Sequence, residues 1–260
     1  MSAHCSSGDR LPAPSLLSEA PLNDDLKFVI VAHSMGGLVI CVALADGILN
    51  PGWIDQVFFV GTPFKGAPKA FGQLFGKVDL PGLKFWTRLR SPRNSNLLLR
   101  MFHDAVKEFS SAYELLPHKE WSYLECNDEP GLGNALFGRG IEQKWQELAL
   151  NTHEKVIRGA RILRSGRIPI HVAFSGLYTK NRTEIQYRAS FNQNQRYTVN
   201  KILKRTKEGD GTVPRSSAAA FPNAKKRELR EFVFIEHMLL CNNSRISSWI
   251  DAQLDMGLVQ

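Results

Sequence analysis

Cysteine is scarce and scattered. The four in the chain, Cys5, Cys41, Cys126 and Cys241, form no C-x-x-C pair. That spacing argues against a zinc site and against a disulfide framework. No apolar run approaches the roughly 18 residues that would mark a bilayer-crossing helix. Residues 1–20 have no basic start and no continuous apolar core, so they do not read as a secretory signal. The expected location is therefore cytoplasmic or peripheral to a membrane. Internal repeats are also missing. Dense charge runs are limited to Lys225-Lys226-Arg227, which reads as an exposed turn.

What is present suits a globular protein. Of the 260 residues, 43% are hydrophobic and 22% charged, enough for one large domain or a domain with an insertion. The net charge of +8 fits an anionic surface such as a phospholipid headgroup layer. Charge alone would also fit nucleic acid. No base-stacking or groove-reading motif accompanies it, so nucleic acid is not an expected partner. The bland reading of the same charge is an ordinary solvated surface, because the basic residues are spread out.

The chain is organised around FVIVAHSMGGLVI, residues 28–40. Phe28 to Ala32 reads as a buried strand, and the apolar run from Met35 to Asp46 as a helix ending at Gly47. Ser34 lies at the apex of the turn between them. This is the nucleophile-elbow pattern G-x-S-x-G, with Ala32 and Gly36 in the small positions. The turn strains the serine backbone, and small neighbours are expected to let strand and helix pass closely. The start of the helix offers free N–H groups, Met35 N–H first among them, to an oxyanion.

The rest of the chain follows in order. Residues 1–23, rich in Ser, Pro and Ala, read as a flexible leader. IDQVFFV (54–60) is a second buried strand. From Phe64 to Gly166 no strong strand appears, and amphipathic stretches such as 96–109 and 141–157 alternate with Gly/Pro-rich loops. That segment reads as a helical cap, residues 64–166, inserted into a core formed by 24–63 and 167–260. IPIHVAF (168–174) resumes the core as a strand ended by Ser175-Gly176. Residues 180–208 read as a long loop or an irregular hairpin. EFVFI (231–235) is a last strand, followed by a helix from Asn243 to Leu254. Strands alternating with helices predict an α/β fold with a mostly parallel sheet.

Three residues make a constellation. Ser34, Asp210 and His237 occur in the chain order Ser…Asp…His of the α/β-hydrolases. Each is expected just past the C-terminal end of a strand, the edge at which open parallel sheets collect ligands. The expected roles are nucleophile for Ser34, general base and acid for His237, and orienting acid for Asp210. Taken singly, Asp210 reads as a turn residue and His237 as a structural histidine. Their place in the order lifts them above His4, His103, His118, His153 and His171. Asp55 sits at the wrong edge of the sheet to serve.

The motifs VAHSMGG (31–37), GTPFKG (61–66), SAYELLP (111–117), GDGTVP (209–214) with Ser216-Ser217, and EHMLL (236–240) resemble the lecithin:cholesterol acyltransferase family. The resemblance spans about residues 26–254. It implies an α/β-hydrolase fold with a lid, no metal and no organic cofactor. It also implies a Ser34–Asp210–His237 triad that takes a fatty acyl group from a phospholipid or other ester. The acyl group then passes to a hydroxyl acceptor or to water.

One departure from the family pattern carries a structural expectation. The elbow normally follows several earlier strands and a loop that supplies a second oxyanion N–H, and here only 33 residues precede Ser34. Loss of one such donor typically costs about 10²–10³-fold in rate. Strand 28–32 would then be an exposed apolar edge. Either the chain is a piece of a longer protein, or that edge pairs with a partner chain. Two functions stay open: an acyl-transferring enzyme, or a non-catalytic remnant that binds lipid or a partner.

Overall fold

The computed structural model describes residues 27–74, 106–118, 124–126, 143–177, 183–191 and 197–257. The leader at 1–23, most of the stretch 96–109 and the loops at 130–140 lie outside them.

Four strands form a central sheet: β1 (Phe28–His33), β2 (Ile54–Val60), β4 (Ile170–Leu177) and β7 (Leu229–Val233). Their spatial order is β1-β2-β4-β7, and all three pairings are parallel. Parallel neighbours need crossovers. Helix α1 (Met35–Ala45) joins β1 to β2, and helix α4 (Gln143–Ser165) brings the chain back to β4. This is the elbow-bearing part of an α/β-hydrolase fold, with a partial and mostly parallel sheet.

β2 is the centre of the core. Its IDQVFFV sequence is almost wholly buried, as expected of a strand covered on both faces. One apolar cluster packs Leu38, Cys41 and Leu44 of α1 against Val57 and Phe59 of β2 and Val156, Ala160 and Leu163 of α4. Burial drives the Cys41 thiol up to about 12, so it stays protonated. α4 lies on the cap side of the boundary drawn at residue 166, yet its inner face packs on α1. A side chain at Gly159 would run into the Cys41 backbone, so the helices meet where a glycine lets them. A second cluster on the other face of the sheet holds Val60, Ala173, Phe232, Ile235 and Ile246, the last from helix α5 (Ser244–Gly257).

Several boundaries differ from the expectations, each for a local reason. β4 runs through Ser175-Gly176 instead of stopping there. The register with β7 shifts between Ser175 and Leu177, and a Cβ at Gly176 would strike the Glu231 carboxylate. The glycine therefore marks a bulge, not a terminus. β7 begins two residues earlier than 231–235 and stops at Val233, because Phe234 turns to φ 62°. Ile235 is still buried, which is why its segment reads as strand.

Of the two readings of 180–208, the hairpin is the observed one. β5 (Thr183–Phe191) and β6 (Tyr197–Thr206) pair antiparallel with three register shifts. A short strand β3 (Leu124–Cys126), too brief to leave a periodic signal, joins β5 to make a second sheet in the order β3-β5-β6. Two short helices, α2 (Pro68–Leu74) and α3 (Ser110–Glu114), complete the described part of the 64–166 segment. There Tyr113 stacks on Trp145 with centroids 4.6 Å apart, so those aromatics pack the segment onto α4.

Among the described residues no strand pairs with the outer edge of β1, so the strand expected to be buried is largely exposed. Phe28, Val29 and Val31 are 41–49% exposed, and Val39 on α1 is 54% exposed. α1 is apolar on all sides, a pattern usual for a helix buried all round. Among the described residues no helix is long and apolar enough to cross a membrane.

Candidate active site

The C-terminal ends of β1 and β7, two strands of the central sheet, lead to Ser34 and His237, and the turn after β6 of the second sheet supplies Asp210, which therefore does not follow a core strand. β1 ends at His33, and the chain reverses at Ser34 before entering α1. Ser34 takes φ 53° and ψ −127°, a conformation that costs a non-glycine residue about 1–3 kcal/mol. Its N–H donates to the Val60 carbonyl at 2.9 Å, which pins the apex to the end of β2. Ser34 Oγ is thereby lifted off the sheet at the mouth of α1. Met35 occupies the first position of that helix, where backbone N–H groups have no acceptor one turn back.

The close approach under the elbow is not where it was expected. A side chain at Gly36 would meet no described atom within 4 Å, whereas one at Gly37 would collide with Thr62 and the Phe59 ring. Gly37 faces the sheet and Gly36 does not. Thr62 Oγ1 fills the space that a Gly37 Cβ would take, and it is buried without a hydrogen-bond partner among the described residues.

GDGTVP folds into a turn that wraps its aspartate. Gly209 and Gly211 take φ 137° and 87°, values that favour glycine, and Gly209 pairs with Pro214 across the turn. Asp210 is buried. Its Oδ1 accepts the N–H groups of Thr212 at 2.9 Å and Val213 at 2.7 Å, leaving Oδ2 for a side chain. Thr183 Oγ1, from the start of β5, accepts the Gly211 N–H at 3.0 Å, so the hairpin braces this turn.

His237 completes the set. It follows β7 by a short loop and is buried. Its Nδ1 lies 2.7 Å from Asp210 Oδ2, and its Nε2 lies 2.7 Å from Ser34 Oγ. Its backbone N–H donates to the Asp210 carbonyl at 3.1 Å. A carboxylate facing Nδ1 favours a proton there, so Nε2 presents a lone pair to the serine hydroxyl. Residues separated by some two hundred positions thus meet in one chain of hydrogen bonds. The arrangement can deprotonate Ser34 as it attacks a carbonyl carbon, and it can stabilise the imidazolium that results.

Around this centre the sequence motifs lock together. Gly61, at φ 63°, lies beneath the pair: a Cβ there would press on Leu240 and reach His237 and Asp210. Ser217 Oγ donates to the Gly66 carbonyl at 2.6 Å and accepts the Lys65 N–H at 3.1 Å. Gly66, at φ 78°, abuts Leu116 and Pro117. GTPFKG, SAYELLP and the serines after GDGTVP therefore form one packed unit.

The other expected alternatives lie elsewhere. Asp55 is exposed at the start of β2. His153 is buried and its Nε2 donates to the Leu116 carbonyl at 2.9 Å. His171 stacks on Phe58 at 4.5 Å within the sheet. His33, directly before the serine, has no expected role and yet touches His237; its position beside Ser34 was the available signal.

Burial lowers the affinity of His33, His153 and His171 for protons below the usual histidine value of 6.5. The unfolded chain then binds more protons than the folded one below that value, so stability falls on acidification. The melting temperature is expected to drop between about pH 7 and pH 5, and His153→Gln should flatten that drop. A melting temperature constant over this range would mean that the three rings titrate as they do in water.

The topology is that of a partial α/β-hydrolase fold, with Ser34, His237 and Asp210 joined in one line of hydrogen bonds. No family model matches the chain, and no curated protein matches it. Among solved structures, a chain in the crystal structure of the Tle4–Tli4 complex is similar at 13% sequence identity and a TM-score of 0.48. The alignment covers 85% of this chain and 57% of that one, so this chain spans little more than half the length of that neighbour.

Proposed function

We propose that the chain cleaves acyl esters through an acyl-Ser34 intermediate. The observation that carries this reading is the line from Asp210 through His237 to Ser34, built on a strained elbow. In the first half-reaction Ser34 Oγ bonds to the ester carbonyl carbon as its proton passes to His237 Nε2. The carbonyl π pair moves onto oxygen, where Met35 N–H can receive it. Collapse breaks the bond to the leaving alcohol, which takes the proton from His237. In the second half-reaction water or an alcohol attacks the acyl-enzyme and gives its proton to His237. The acid or new ester departs as Ser34 Oγ regains that proton.

The substrate class is an expectation from the family resemblance and the basic surface: a phospholipid or another fatty acyl ester, with transfer to a hydroxyl acceptor or hydrolysis. The test is acyl release from labelled phospholipid vesicles, with and without a long-chain alcohol. Free fatty acid alone means hydrolysis, and a new ester means transfer. A folded protein that releases neither, and that also spares short soluble esters, would overturn the reading.

A second reading is supported by the uncovered β1 edge: a non-catalytic hydrolase remnant that binds lipid or a partner chain through Phe28, Val29 and Val31. It predicts binding without turnover, and so fails the moment any ester is cleaved at Ser34.

A further inference from the structure

His33 is half-buried at the last position of β1, one residue before the nucleophile. Its Nε2 lies 3.0 Å from the carbonyl oxygen of His237. The two rings are tilted by 35° with centroids 4.9 Å apart. A carbonyl can only accept, so His33 Nε2 carries the proton and donates. Burial and the neighbouring His237 both hold His33 below the usual histidine range, which keeps it neutral near pH 7.

The need for such a contact is visible in the segment it holds. His237 opens a single three-residue turn, His237–Leu239, in which Met238 and Leu239 are 71% and 53% exposed. Asp210 fixes the His237 ring and N–H from one side. That pair of contacts refers the histidine to Ser34 only through the sheet, by way of the Gly209 N–H on the Gly176 carbonyl of β4 and the Ser34 N–H on the Val60 carbonyl of β2. The His33 bond refers it directly, because His33 and Ser34 are consecutive residues at one strand end.

We propose that His33 is a positioning residue: it ties the main chain of His237 to the strand that carries Ser34 and so sets the Nε2-to-Oγ approach. The kinetic consequence rests on the acyl-Ser34 reading, but the positional one does not. Asp210, His237 and Ser34 remain the groups that exchange protons and electrons.

Three variants and two readouts test this. His33→Phe keeps a ring and removes the donor. His33→Gln places an amide N–H close to where Nε2 stood, whereas His33→Asn falls short of it. With a short soluble ester, kcat of His33→Phe and His33→Asn should fall about tenfold, the scale of one lost hydrogen bond, with KM changed by less than about twofold. His33→Gln should recover to within about threefold of the unsubstituted protein. The second readout is the nitrogen-15 resonance of His237 Nε2, which reports its hydrogen bond to Ser34 Oγ. It should keep its position in His33→Gln, and shift toward that of a water-exposed ring nitrogen in His33→Phe. If the unsubstituted protein shows no turnover, the acyl-ester reading fails and the resonance alone judges His33. A His33→Phe variant that keeps both the resonance and kcat would overturn the proposal and leave His33 a packing residue.

Discussion

Replacing Ser34 by glycine is expected to abolish ester cleavage and to raise the melting temperature at the same time. The loss follows from removing the proposed nucleophile, which in a well-ordered triad costs about 10⁶-fold in kcat. The gain follows from the backbone. At φ 53° and ψ −127° the serine sits where a Cβ is penalised, and glycine occupies that region freely. Relief of about 1–3 kcal/mol of strain, less up to about 1 kcal/mol for the added freedom of the unfolded chain, leaves a net gain of about 1 kcal/mol. Ser34→Ala should lose the same activity without the gain, since alanine keeps the Cβ. Thermal denaturation of the three proteins checks the point. Equal melting temperatures would mean that the elbow stores no strain.

Asp210→Asn should lower kcat by about 10⁴-fold while leaving the fold nearly intact. The amide oxygen can still accept from Thr212 and Val213, which hold Asp210 Oδ1 at 2.9 and 2.7 Å. The amide nitrogen is then turned toward His237 Nδ1, where it donates and does not accept. His237 is driven to carry its proton on Nε2, and that proton points at Ser34 Oγ. A base already protonated on the working face cannot take the serine proton. An Asp210→Asn variant with near-normal kcat would remove Asp210 from the mechanism.

How much of this was legible in the sequence differs by element. The elbow was, because a strand of small and β-branched residues, a serine and a glycine-rich helix start are all local signals. Val60 and Gly61 closed the next strand where a glycine at φ 63° requires it. Asp210 and His237 were legible only through their order and their turns; the 2.7 Å contacts that join them to Ser34 come from strand order, which no local pattern encodes. Gly37 rather than Gly36 proved to be the tight position, since that depends on which side of α1 faces Thr62. β4 outran its expected end because Gly176 relieves a contact with Glu231, a neighbour distant in sequence. The contact of His33 is not legible in the sequence, because its partner is a backbone carbonyl, which leaves no trace in side-chain types.

The uncovered edge at β1 bears on the same site. Strand β1 ends at His33, directly before Ser34, so whatever pairs with Phe28, Val29 and Val31 would stand next to the proposed nucleophile. An added strand there would bury apolar side chains and satisfy backbone groups of the edge.

The most direct measurement is the mass of the folded protein after exposure to a fluorophosphonate, with the adduct mapped by peptide sequencing. A phosphonyl group on Ser34 Oγ, absent from Ser34→Ala and strongly slowed in Asp210→Asn, is the predicted result. A folded protein that stays unlabelled, or that is labelled elsewhere with Ser34 intact, would contradict it.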